Sequence, residues 1–176
     1  YALYVAIADR WADTSSGTDA FNQRVGALAK DWADHCRKIG IDPARIVLCL
    51  LDEPSSASAA HMITAWAKPI RAAVPEFKFY EDTLFGPDYY NGNPDVEAMF
   101  DIVDIVTPGT DYAYQRIGQP AVDFYEKVRA RGNKVMGFYA CAQNPSEAES
   151  IRYYRLQQWA CWQINKGGPE SWAGFW

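Results

Sequence analysis

The chain lacks any long apolar run. Nowhere do the roughly 20 consecutive apolar residues occur that a membrane-spanning helix requires, so no membrane span is expected in this segment. It also lacks basic character. Lys and Arg number 17 against 22 Asp and Glu, giving a net charge of −5. No basic stripe is present to neutralise phosphates, which argues against nucleic acid as a partner. Histidine is scarce: His35 and His61 both fall inside helix-like patterns, spaced unlike a metal pair. Cys36, Cys49, Cys141 and Cys161 show no CxxC spacing and have no His at zinc-finger distance, so they leave the redox compartment open. No Gly-rich loop follows an apolar run, which removes the phosphate cradle of nucleotide-binding folds. No Ser has the nucleophile-elbow context of a serine hydrolase. The chain starts at Tyr1 and ends in an apolar pattern at Trp176, as a piece cut from a longer protein would. Its native N-terminal region is therefore open.

What is present is a globular composition of 176 residues, 49% hydrophobic and 22% charged, enough for one domain with a sizeable core. Aromatics make up 15% of the chain, including 7 Trp and 11 Tyr. Such rings offer flat apolar faces with a polar edge, which suit sugars, although α/β cores absorb aromatics too. Strand-like and helix-like patterns alternate from end to end. Strands are expected over 1–8, 45–51, 77–80, 102–106, 134–139 and 172–176. Helices are expected over 19–39, from Ser55 or Ser56 to Ala73, over 95–100 and 120–131, and from the Asn144-Pro145-Ser146-Glu147 start to about Asn165. Six strands alternating with helices imply an α/β fold with a parallel sheet. The pattern fits about the last six units of a (β/α)8 barrel, which typically needs about 250 residues when complete. The whole chain, 1–176, is then one partial barrel domain.

Leu48-Cys49-Leu50-Leu51-Asp52-Glu53-Pro54 concentrates the chemistry. A buried parallel strand ends in two adjacent carboxylates and a proline, and ligands in α/β folds bind at such strand ends. The proline is expected to hold Glu53 extended. The two carboxylates, crowded against an apolar sheet end, are expected to have pKa values pushed apart, as a general acid beside an ionised partner requires. The competing reading is a helix N-terminus, where Asp and Glu are favoured by capping and by the dipole. Asp9, Glu81, Asp82, Tyr139 and Trp176 stand at other expected strand ends.

The ordered set of strand ends resembles the catalytic domain of glycoside hydrolase family 123. The resemblance is carried by Gly40-Ile41-Asp42-Pro43-Ala44-Arg45-Ile46 running into Leu50-Leu51-Asp52-Glu53-Pro54, then by Val103-Asp104-Ile105-Val106-Thr107-Pro108 and Gly137-Phe138-Tyr139-Ala140-Cys141. Arg155-Leu156-Gln157-Gln158-Trp159 and Gly174-Phe175-Trp176 complete it. Met136-Gly137-Phe138 stands where members often carry tryptophans, so the sugar subsite departs from the family pattern. The resemblance implies a (β/α)8 glycosidase that removes terminal 2-acetamido-β-hexosides, N-acetylgalactosamine favoured, by substrate-assisted hydrolysis with retention. Glu53 would be the general acid, and Asp52 would accept the acetamido N–H. Tyr139, Trp176, Trp11, Glu81 and Asp82 are candidate substrate-binding residues. No cofactor is implied, the partner is a glycan or glycoconjugate, and a periplasmic or extracellular location is favoured. Oligomeric state and the choice between N-acetylgalactosamine and N-acetylglucosamine stay open.

Three rivals remain. A double-displacement glycosidase needs a second acid about 5–5.5 Å from the first, and the fifth strand ends in Tyr139-Ala140-Cys141 without one. A Mg²⁺ enzyme would gather Asp9, Asp52, Glu53, Glu81 and Asp82, but Glu81-Asp82 is expected to be a solvated loop or a hydrogen-bonding subsite. The third is a carbohydrate-binding barrel without turnover.

Overall fold

The structure, a computed structural model, describes residues 1–86, 92–109, 118–132 and 134–137, Trp159, and the backbone alone of 138–140 and 172–175. Six strands form one sheet in the order β1-β4-β5-β6-β7-β8, and every pairing is parallel. They are β1 (Ala2–Tyr4), β4 (Val47–Cys49), β5 (Lys78–Glu81), β6 (Ile105–Val106), β7 (Val135–Ala140) and β8 (Trp172–Phe175). Each new strand is laid beside the previous one in the same direction. Among the described strands there is no point where the order reverses, unlike a doubly wound sheet. β2 (Arg10–Trp11) and β3 (Thr14–Ser15) make a small antiparallel hairpin. Its two turn residues, Ala12 at φ 50° and Asp13 at φ 59°, are both left-handed, as a tight two-residue turn demands.

Helices α1 (Asp19–Lys38), α2 (Ala57–Ala73), α3 (Pro94–Ile102) and α4 (Gln119–Ala130) fill the crossovers. α1 starts at Thr18, whose Oγ1 accepts the Phe21 N–H. It is followed by Gly40 at φ 79°, where a side chain would be strained. α2 is capped by Ser56, whose Oγ accepts the Ala59 N–H at 3.2 Å. α3 begins at Pro94 behind Asn93, whose Oδ1 accepts two backbone amides.

Strand alternation divides the sheet into two faces. Leu48, Phe79 and Val106 are fully buried and join the helix-side core with Phe21, Val25, Ile63, Trp66, Ile70, Met99 and Phe100. Cys49, Tyr80 and Tyr4, in register with one another, belong to the opposite face and stand outside that core cluster. Phe85 is buried and packs edge-on to Phe100 at 6.0 Å. The first strand is shorter than the apolar pattern of residues 1–8, because its ladder with β4 spans Ala2 to Tyr4. β1 has one strand neighbour among the described residues, and Leu3 remains 45% exposed. The expected helix beginning near Asn144 lies outside the described residues.

Candidate functional site

The carboxyl ends of β4 and β5 bring four acids together. The ladder between these strands runs Val47↔Lys78, Leu48↔Phe79 and Cys49↔Tyr80. The next amide of β4, Leu50 N–H, donates instead to the side chain of Glu81, at 3.3 Å to Oε1. Glu81 thereby takes the place of a backbone carbonyl and ends the ladder. Its side chain is fully buried. Burial first, and the neighbouring charges of Asp82 and Asp52 second, push its pKa well above the ordinary carboxylate value. The Leu50 and Leu51 amides oppose that shift.

Asp82 follows, 2% exposed. Its Oδ1 accepts the Glu53 N–H at 3.0 Å, and the Asp52 carboxyl lies within hydrogen-bonding reach of its own. Burial pushes the Asp82 pKa up to about 7, with the charge and hydrogen bond of Asp52 adding to the rise. Near neutral pH, one proton is therefore available to bind Asp82 to Asp52. Neither Glu81 nor Asp82 is a solvated loop residue, which corrects that half of the expectation; both are buried and accept backbone hydrogen bonds at the ends of two adjacent strands.

Asp52 and Glu53 themselves are exposed. Glu53 has φ 48°, not the extended backbone expected before Pro54. The cause is tertiary. Asp82 holds the Glu53 amide, and the Leu84 N–H donates to the Pro54 carbonyl at 3.0 Å. The exits of β4 and β5 are thus tied together across the proline, and the left-handed turn this forces at a non-glycine residue costs roughly 1–2 kcal/mol. Strained backbone of this kind clusters at functional sites in proteins generally. The helix-cap reading of Asp52-Glu53 does not survive. Ser56 caps α2, and its first turn contains no acid.

Around this group stand Cys49, Tyr4 and Tyr80. Cys49 is a buried free thiol that donates weakly to the Leu51 carbonyl at 3.7 Å, and burial and the surrounding acids push its pKa up. Tyr4, 55% exposed, is pushed up to about 12 by burial and by the field of Cys49, Asp82, Asp52 and Glu81. Burial likewise raises Tyr80, whose hydroxyl lies beside Thr107. The Thr107 amide donates to the Glu81 carbonyl at 3.0 Å, which brings the end of β6 to the same place.

The other expected residues are distributed differently. Trp11 packs on Trp66 with ring centroids 5.8 Å apart, and Trp66 in turn meets Phe21 edge-on at 5.2 Å. In this arrangement Trp11 serves the helix-side core. Tyr139 has its backbone in β7, with its side chain outside the described residues, and Trp176 lies outside them entirely. Asp9 is exposed, and its carbonyl accepts the Ser16 N–H of the hairpin. Asp82 as the link between the two exposed acids was not expected from the sequence. The only signal was its place one residue beyond a strand end, level with Leu51 and one step from Asp52 in the register of the two strands.

The class defined by these observations is an α/β protein whose parallel sheet presents an acidic site at the carboxyl ends of its strands. No protein-family model and no curated protein matches the chain. No described helix is long and apolar enough to cross a membrane.

Proposed function

We propose that the chain is a glycoside hydrolase of the family-123 kind, removing terminal 2-acetamido-β-hexosides with N-acetylgalactosamine favoured, and that its six strands belong to a (β/α)8 barrel. The one-way strand order supports the barrel, because sequential parallel strands with helices on one face are how such a barrel closes. The observation that carries the activity is the exposed Asp52-Glu53 pair, fastened from below by Asp82 through the Glu53 amide and the Asp52 carboxyl.

In this reading Asp52 accepts the acetamido N–H and turns the acetamido carbonyl oxygen toward the anomeric carbon. That oxygen forms a bond to C1 as the bond from C1 to the leaving oxygen breaks, and Glu53 gives its proton to the leaving oxygen. The oxazolinium intermediate carries the positive charge that ionised Asp52 stabilises. Water then attacks C1 as Glu53 takes its proton and the bond from C1 to the acetamido oxygen breaks, which restores the acetamido group and releases the sugar with retention. No carboxylate nucleophile is needed, an exception that the two-carboxylate scheme allows. Asp82 is a positioning residue. Protonated, it donates to Asp52 and fixes the direction of that carboxylate.

The test is a pair of aryl glycosides, the 2-acetamido-2-deoxy-β-galactoside and the plain β-galactoside. Turnover confined to the first, lost in Glu53→Gln and Asp52→Asn, is expected. Equal rates on both would sink the mechanism. Sugar binding without turnover, unchanged in Glu53→Gln, would make the protein a binding domain.

A further inference from the structure

We propose that Cys49, Glu81 and Asp82 form a binding site for a divalent cation of the zinc class, set beneath the exposed Asp52-Glu53 pair. All three residues are buried, and one ligand atom from each, the Cys49 sulfur and a carboxylate oxygen of both acids, lie within 4.8 Å of one another. A tetrahedral zinc ion about 2.3 Å from sulfur and about 2.0–2.2 Å from oxygen holds its donors about 3.4–3.6 Å apart. Donors as far apart as 4.8 Å draw together by about 1 Å through side-chain rotation to close the site.

Glu81 points to a ligand independently of that grouping. Its Oε2 is buried and has no hydrogen-bond partner, while Oε1 already accepts the Leu50 amide. The Leu51 amide also faces this carboxylate and favours its anion. A proton does not resolve this. Oε1 is occupied by a donor, so the proton would sit on Oε2 as a buried O–H, and a buried donor without an acceptor is itself costly. Glu81 and Asp82 form no salt bridge among the described residues. Buried acids of one sign are compensated by pairing, by a metal or by holding a proton, and a cation at this position also supplies the missing partner of Oε2.

Sulfur decides the kind of cation. Mg²⁺ and Ca²⁺ take oxygen ligands, whereas a thiolate with two carboxylates suits Zn²⁺ and its neighbours. On binding, Cys49 exchanges its proton for a bond from sulfur to the metal, and the protons that burial holds on Glu81 and Asp82 are released to solvent with it, so that Asp82 no longer donates to Asp52. Three protein donors leave the fourth tetrahedral position to water. The site goes beyond the glycosidase reading and is detectable whether or not the protein cleaves a glycoside.

The test uses the full chain, stripped with a chelator and titrated without oxygen with Co²⁺ alone. One equivalent is expected to bind, giving a sulfur-to-cobalt charge-transfer band in the near ultraviolet and strong visible bands of a four-coordinate ion. Zn²⁺ should bleach both, and Mg²⁺ should not. The charge-transfer band should vanish in Cys49→Ala and persist when Cys36, Cys141 and Cys161 are all replaced by Ala. Glu81→Gln should weaken binding by more than the roughly 10–100-fold that loss of an outer-shell partner costs, and Asp82→Asn provides the same measurement if Glu81→Gln does not fold. A wild-type protein with no charge-transfer band, or a band that survives Cys49→Ala, overturns the proposal.

Discussion

The two ends of the sheet handle charge in opposite ways. At the amino ends, cations are present and several are engaged. Arg71, in the last turn of α2, donates to the carbonyls of Pro75, Phe77 and Ile102 and pairs with Asp104. Its guanidinium also lies 4.8 Å from the Phe79 ring centroid. Asp104 in turn accepts the Phe79 N–H at 2.8 Å. Arg131 pairs with Glu97 and Asp101, and Lys134 donates to the carbonyls of Asp101 and Val103. At the carboxyl ends Asp52, Glu81 and Asp82 gather with no salt bridge among the described residues. Two of these acids are held by burial above the usual carboxylate range. One end uses opposite charges to fasten loops and helices to the strands. The other keeps like charges together at a cost in stability, which is the division between stability and chemistry expected of the two ends of a parallel βα fold.

The sharpest way to break this comparison is to substitute one residue at each end and measure both rate and stability. Glu53→Gln should lower kcat/KM on the aryl 2-acetamido-β-galactoside by about 10²–10⁴-fold, the usual share of a general acid, with the melting temperature nearly unchanged. Arg71→Ala should do the reverse. It strands the Asp104 carboxylate and several carbonyls, and because the pair is partly exposed the expected loss is about 2–3 kcal/mol in urea unfolding. Its effect on the KM of the same substrate should be small. A rate collapse in Arg71→Ala without loss of stability would mean that the two ends are not separate in function.

The legible part of this design was the part governed by local rules. α1 and α2 were readable because apolar residues recur at helical spacing between a capping hydroxyl and a stop signal, and their ends fall within a residue or so of expectation. The parallel sheet followed from the alternation of elements. Asp52-Glu53 stood out because two acids and a proline end an apolar run. Hidden from the sequence were the effects of neighbouring strands. Nothing local marks Glu81 as buried, because the burial comes from β4, whose Leu50 amide it receives. The pre-proline rule failed at Glu53 for the same reason, since the hydrogen bond from its amide to Asp82 outweighs a steric preference of the dipeptide. The hairpin at Arg10–Ser15 carries Ala12-Asp13 in its turn instead of Asn-Gly, so no turn signal announced it.

Asp82 provides an intermediate effect whose sign distinguishes buried repulsion from hidden pairing. Its pKa rises from 3.8 to about 7 on folding, so between those values the folded chain holds a proton that the unfolded chain has released. Stability from this group is complete below the lower value and falls as pH rises through about 7. Asp82→Asn, which keeps the acceptor for the Glu53 amide and a donor for Asp52, removes that slope. In chelator-treated protein, the variant should gain on the wild type between pH 5 and pH 8, on the order of 1 kcal/mol. A variant that loses ground as pH rises would show that the Asp82 anion has a compensating cation after all.

The smallest expected effect separates strain from chemistry at one residue. Glu53 stands at φ 48°, where glycine is relaxed and other side chains are not, while glycine also gives the unfolded chain more freedom. Glu53→Gly should therefore raise stability by on the order of 0.5–1 kcal/mol, the strain released less the added entropy, while abolishing turnover. The same gain should be missing in Glu53→Gln, which keeps a side chain at the left-handed position. If both substitutions stabilise equally, the cost at Glu53 lies in its charge beside Asp52, and the turn is not strained. If glycine alone stabilises, the fold is holding a general acid in a backbone conformation that serves the site at the expense of the chain.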